Sequence, residues 1–284
     1  YSGFEFSATY RNRDHALKYD ISANVSTLKN KVTSLGIGKN SYITGAYATY
    51  VGQEIGKFYG WIYEGIARTQ DELDGHATQQ GANVGDCLYK DISGPNGEPD
   101  GVIDAYDQTV LGSGLPKVNF GLSTHMEYKG FDLNISTYGV LNYHVSDDIY
   151  NSLNSCYGYG NKEVGMLDAN RWSEDGSTYL SSVPRTYAAN NATLGWNDLF
   201  SSRKIQNAAY WKIANVELGY NFPDKWFGGY VSGVRLYVSA QNLYTFTGYH
   251  GYNVDYAGGT FTPGYNFCSF PSARTFMCGL HFTF

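Results

Sequence analysis

Along most of this chain polar and apolar residues alternate with a period of two, the signature of a β-strand with one apolar and one wet face. From His15 to Leu28 the residues Leu17, Tyr19, Ile21, Ala23 and Val25 share one side, with Lys18, Asp20, Ser22, Asn24 and Ser26 on the other. Gly3–Arg11 alternates in the same way, and so do Val118–Tyr128 and Phe131–Leu141, joined by a tight YKG turn that predicts a hairpin. Tyr210–Asn221, Val234–Tyr244 and Arg274–Phe284 follow the pattern, the last with Phe276, Cys278, Leu280, Phe282 and Phe284 on one face. Ser41–Val51 and Lys57–Ile66 are less regular, but they are rich in aromatic and β-branched residues and read as two further strands.

The expectation is nine strands in an all-β antiparallel meander. Short turns join them at one end and long segments at the other, above all Arg68–Pro116, Val145–Asn207 and Gly248–Pro271. Strands of roughly ten residues with one-sided loops fit a tilted transmembrane β-barrel. Bacterial single-chain barrels use even strand numbers, so nine predicts the C-terminal part of a larger barrel. A start at Tyr1 with neither Met nor signal peptide points the same way. Tyr128, Tyr143, Tyr220, Trp226 and Tyr244 fall near strand ends, where interfacial aromatic girdles belong. The rival is a secreted or surface β-sandwich, an adhesin or glycan-binding module stabilised by calcium, which would turn tightly at both ends.

Composition narrows the function classes. Among 284 residues there are 27 Tyr and 34 Gly, which favours strands and turns, and a net charge of -6 supplies no basic field for nucleic acid. A mean hydropathy of -0.37 is compatible with a barrel, whose alternation hides its apolar content. No GxSxG, HExxH or P-loop is present and the histidines do not cluster, so no enzyme is expected. Cys87, Cys156, Cys268 and Cys278 lack CxxC spacing; Cys87 and Cys156 lie in long loops and are open to pairing or to remaining thiols.

Candidate chemistry concentrates in Asp86–Gly112. There Asp100, Asp104 and Asp107 take the spacing of positions 5, 9 and 12 of a calcium-binding EF-hand loop, with Gly101 at the turn and Val102 where a backbone carbonyl ligates. Asp91 and Ser93 supply positions 1 and 3 only if the insertion Pro95–Pro99 loops out. The expectation is a structural Ca²⁺ or Mg²⁺ held by Asp91, Ser93, Asp100, Val102, Asp104 and Asp107. The alternative is an acidic surface loop that binds nothing tightly. For cargo, rings that stack on sugar faces are sought among Trp61, Tyr63, Tyr157, Tyr159, Trp172 and Trp196, with loop packing as the bland alternative.

Several segments in order resemble the SusC/RagA family of TonB-dependent outer-membrane transporters. GQEIGKFYGWIYEGI (Gly52–Ile66) is similar to that family's GxPIGxFYGYxxDGI, and GDCLYKD followed by DGVIDAYDQTVLG (Gly85–Gly112) to its GDIxYKDxNGDGVIDxxDRTxLG, departing at the insertion. The hairpin Pro116–Asn142, the segments Tyr210–Pro223 and Val234–Asp255, and the terminal Phe284 also resemble it. A passive porin lacks these segments. The resemblance implies a 22-stranded barrel around an N-terminal plug domain that this sequence does not include. It implies import of oligosaccharides or peptides through the bacterial outer membrane, a SusD-like surface lipoprotein as lid, TonB as energy source, and a dimer of transporter–lid pairs.

Overall fold

The computed structural model describes the chain except residues 37, 157–160, 165–170, 175–177, 179–180, 187–194, 228–230, 256–257 and 268. One antiparallel sheet of seven strands dominates: β1 (Ser2–Asn12), β2 (Lys18–Lys29), β3 (Val118–Tyr128), β4 (Phe131–Leu141), β5 (Tyr210–Phe222), β6 (Gly233–Thr247) and β7 (Thr275–Thr283). Each pairs with its sequence neighbour, which is the meander the alternation predicts. At the β3–β4 hairpin Lys129 and Gly130 both have positive φ (49° and 84°), the primed turn that matches strand twist.

The count of nine is corrected to seven. Residues 41–66 do not join the wall. Ser41–Thr44, Tyr47–Tyr50 and Lys57–Gly60 form a separate four-stranded sheet with Thr109–Ser113, and Tyr63–Ile66 pairs with Cys87–Tyr89. Each of those first strands has four residues, too few to cross a hydrocarbon layer that takes about 9–11. Their aromatics bury against other loops instead: Tyr47 and Phe58 pack with Phe200, and Tyr47 with Tyr265.

Register carries one face through the whole wall. Tyr10, Ile21, Thr124 and Ile135 lie in one row across β1 to β4, and Leu133, Leu218, Val238 and Cys278 in another across β4 to β7. A one-residue slip between Ser136/Thr137 and Ile213/Asn215 brings Trp211 and Phe246 into the same face near the long loops. No second sheet covers this face among the described residues: Phe6 is 65% exposed, Phe276 70% and Leu280 58%. A sandwich would bury those side chains, so its central requirement is unmet. An apolar surface of this extent belongs against lipid or another protein.

Aromatics flank the aliphatic band at both heights. Near the short turns Phe131 packs on Tyr220, Tyr220 on Phe222, and Phe222 on Trp226. Near the long loops Trp211 stacks on Phe246, which meets Tyr244. Tyr128, Trp226 and Tyr244 are exposed as girdle residues should be. Tyr143 is not one of them. It is 3% exposed in a cluster with Val140, Val145, Ala208, Tyr210, Tyr249 and Val254, because the chain has already turned inward from the wall.

The opposite face is polar and cross-linked. Arg235 forks onto Asp132 at 2.9 and 2.5 Å and reaches Glu217 at 2.7 Å, while Asn221 donates to Asp132 at 2.9 Å. His125 bridges Asn134 (2.7 Å) and Glu127 (2.9 Å). Gly219 leaves the space that the guanidinium occupies; a Cβ there would lie 2.5 Å from Arg235 Nη2.

Candidate functional site

All three long connections leave the wall at the same end and knit into one layer. His144–Asp147, from the second, pairs with Gln206–Asn207 and in parallel with Tyr265–Asn266 from the third. Asp147 accepts hydrogen bonds from the Tyr249 hydroxyl and from Asn266 Nδ2 (2.9 Å), which in turn lies 2.7 Å from the Tyr249 oxygen. Asp86 is held by Arg185 at 2.7 and 2.9 Å and by Asn197 at 2.8 Å, tying the first connection to the second.

Within this layer the acidic loop is a backbone scaffold. Asp107 is fully buried. Its Oδ1 accepts the amides of Ile92 (2.8 Å) and Ser93 (3.2 Å), and its Oδ2 accepts that of Asp104 (2.8 Å). Asp104 caps the next turn through Tyr106 N at 2.7 Å, a reciprocal capping box. Asp91 Oδ2 takes Gly101 N at 2.6 Å and Asp100 Oδ1 takes Val102 N at 3.1 Å, while Ser93 Oγ donates to Gly94 O at 3.4 Å. Asp91 Oδ1 alone is buried without a hydrogen bond. Calcium takes six to eight oxygens. Among the described residues no three His, Cys, Asp or Glu side chains gather to hold a cation. As folded, the loop does not fit the metal that the spacing suggests. Asp107→Asn is therefore expected to loosen the segment by about 2 kcal/mol, since it leaves buried amides short of an acceptor. Limited proteolysis between residues 91 and 107 reads this out, and protection in the parent protein should be indifferent to EDTA and to added calcium.

The six aromatic candidates divide. Trp61 donates Nε1–H to Asp104 O at 2.9 Å, Trp196 donates to Gln80 O at 3.1 Å, and the Tyr89 hydroxyl donates to Trp196 O. Both indoles thus pack around the Cys87, Tyr89 and Ile103 cluster. Trp172 is 8% exposed, its six-membered ring against Gly85. Tyr63 packs beside Tyr89 and also lines a polar cavity with Arg203. Tyr157 and Tyr159 lie outside the described residues, as does Cys268. Sequence reasoning missed Arg185, Asn197 and Arg203, whose partners are remote in sequence; the sparse basic residues of the second connection were the available signal.

Cys87 and Cys156 are free thiols, both fully buried. Their amides are held by neighbouring side chains, Cys87 N by Asn197 Oδ1 (2.7 Å) and Cys156 N by Asp198 (3.0 and 3.1 Å). Burial pushes the Cys87 thiol up to about 12 and that of Cys156 up to about 11. Well below pH 9 both are neutral in folded and unfolded chains alike, and the layer keeps its full stability. As pH rises from there through about 11 to 12, the unfolded chain ionises first and that stability is lost. Labelling at Cys87 and Cys156, followed by peptide mapping that separates them from the exposed Cys278, should be near zero in the native protein at pH 8 and rise steeply above about pH 10. Cys87→Ala should flatten the alkaline fall in protease resistance.

No family model matches the chain. It is 30% identical over 301 residues to TonB-dependent receptor P3 of Formosa agariphila, a match covering 99% of this chain and 28% of that protein. It is 25% identical over 278 residues to TonB-dependent receptor SusC of Bacteroides thetaiotaomicron, covering 94% of this chain and 24% of that one. The structure of the RagAB peptide transporter superposes with a TM-score of 0.76 at 21% identity, over 98% of this chain and 28% of that chain. The chain thus spans about a quarter of the length of its curated relatives. Along nearly its whole length the chain is similar to part of TonB-dependent receptors, SusC among them, and it shares the fold of the matching part of the RagAB structure.

Proposed function

We propose that this chain forms part of a TonB-dependent importer in a bacterial outer membrane, taking up oligosaccharides or peptides under a SusD-like lipoprotein lid. The observation that carries the reading is the wall. Seven strands present one uncovered apolar face between aromatic girdles and one polar, ion-paired face, and every long connection leaves at the same end. A lid needs a broad, ordered rim to seat on, and the knitted layer supplies it. The role proposed for the chain is passage.

Fractionation of the native membrane, followed by gentle detergent extraction, tests this. The protein should appear in the outer-membrane fraction with a lipoprotein at comparable abundance, and cargo uptake should stop when a protonophore collapses the inner-membrane gradient. A water-soluble, partner-free species would overturn the proposal. The name of the RagAB structure speaks of peptide, but that likeness concerns fold; the cargo of this chain is addressed from its own residues below.

A further inference from the structure

Four separate stretches of the loop layer line a polar cavity of about 270 Å³. Tyr63 comes from the first connection; the second supplies Tyr150, Asn151 and Asn154 from the helix Asp148–Leu153 and its cap, Ser182 and Val183, and Arg203 and Lys204. Arg203 is the feature that needs explaining. Its guanidinium is half-buried, yet among the described residues it has no carboxylate within salt-bridge distance and donates no side-chain hydrogen bond. Its electrostatic neighbours are Cys87, Cys156, Tyr63 and Tyr89, all neutral at physiological pH.

The carboxylates of the vicinity are engaged elsewhere. Asp86 is committed to Arg185 and Asn197. Asp198 is committed to Cys156 N and stands 3.9 Å from Lys204 Nζ, and Lys204 donates to Asp198 O at 2.5 Å. Glu163 accepts from Asn154 at 2.8 Å. A partly desolvated guanidinium with no anion is an expensive arrangement that a bound anion relieves.

We propose that this cavity is a subsite for a carboxylate-bearing sugar, a uronic acid unit of an oligosaccharide, with Arg203 forking onto the carboxylate and Lys204 adding positive potential. This assignment rests on the importer reading. The lining favours a sugar over a peptide end: Tyr63, Tyr150, Ser182, Asn151 and Asn154 share the cavity wall with the two cations, and Val183 is the single aliphatic residue there. Sugar recognition uses that mix of rings and hydroxyls, whereas a peptide side chain asks for apolar pockets.

The test uses the intact transporter with its lipoprotein partner in detergent, titrated calorimetrically with trigalacturonate and with neutral galactotriose. Trigalacturonate should bind in a salt-sensitive manner and galactotriose weakly. Arg203→Gln should weaken trigalacturonate by about tenfold or more, with Arg203→Lys between, because lysine lacks the fork. Ser182→Asp, at an exposed position, should do the same by placing a carboxylate in the cavity, and it guards against a folding defect in the arginine variants. Equal affinities across these variants, no binding of trigalacturonate by the parent, or Arg203-dependent binding of a C-terminal tripeptide carboxylate instead would each overturn the proposal. Outer-membrane fractionation and lid co-purification are scored on the same preparations. A failed subsite in a sound complex is therefore distinct from a failed importer reading.

Discussion

Arg235→Met is expected to be among the most destabilising single changes in the wall, at about 3–5 kcal/mol, because it strands two carboxylates that lie diagonally across β4 and β5, Asp132 opposite Gly219 and Glu217 opposite Asn134. The Asp132 side chain is 8% exposed and that of Glu217 26%, and both now share one guanidinium. Without it they repel, and Asn221 alone remains to satisfy Asp132. Arg235→Lys should recover only part of the loss, since a point charge cannot hold the bidentate contact with Asp132 and the arm to Glu217 together. Gly219→Ala should cost nearly as much by a different route: its Cβ would sit 2.5 Å from Arg235 Nη2 and displace the guanidinium. The combination Asp132→Asn, Glu217→Gln and Arg235→Met should be milder than Arg235→Met alone, because no charge is left unpaired. Heat-modifiable mobility on gels and urea midpoints in detergent measure the series. A wild-type-like Arg235→Met would mean that lumen water screens these carboxylates.

This network was half legible. Alternation put Asp132, Glu217 and Arg235 on the inward face, and the register confirms that placement, but which of them meet depends on strand stagger that no single segment encodes. The apolar rows were fully legible because period two is a local property. The error over residues 41–66 has the same origin. Tyr47, Phe58 and Tyr63 alternate well enough to pass for membrane strands, and an aromatic-rich strand half-buried in a loop layer carries the same pattern as one half-buried in lipid. Length was the available discriminator, since glycines interrupt both segments and the resulting strands have four residues. Tyr143 misled in a related way. It sits one turn beyond β4, where the chain bends from girdle into core.

The acidic loop shows a different limit. Spacing that suits a cation also suits backbone amides, because both want carboxylate oxygens at the start of tight turns. Asp104 and Asp107 are spent on the capping box, and nothing in DGVIDAYD says so until Ile92 and Ser93 are seen folding back on Asp107. The Arg203 cavity was illegible for a stronger reason. Its lining is drawn from positions 63 to 204, and the absence of a partner for a cation is a property of three-dimensional neighbours alone.

The wall makes its sharpest statement through a paired substitution. Val216 lies on the apolar face of β5, between Ile135 and Ala240, about midway between the girdles. Ser136 is one register row away, on the polar face between Ser123 and Asn215. Val216→Arg should cost about 2–4 kcal/mol, the depth-dependent penalty for arginine on the lipid side of a barrel near the midplane. Ser136→Arg, with the same side chain at the same height, should cost little, because it points into a wet lumen where Asn215 and Gln241 already stand. A water-soluble sheet would tolerate Val216→Arg, at a half-buried position on its uncovered face, far better than a lipid-facing one would. Folding yields into vesicles, scored by gel mobility before and after heating, separate the two cases. Equal yields for Val216→Arg and Ser136→Arg would remove the lipid from one side of the sheet and with it the barrel. A loss confined to Val216→Arg would fix which face meets the hydrocarbon.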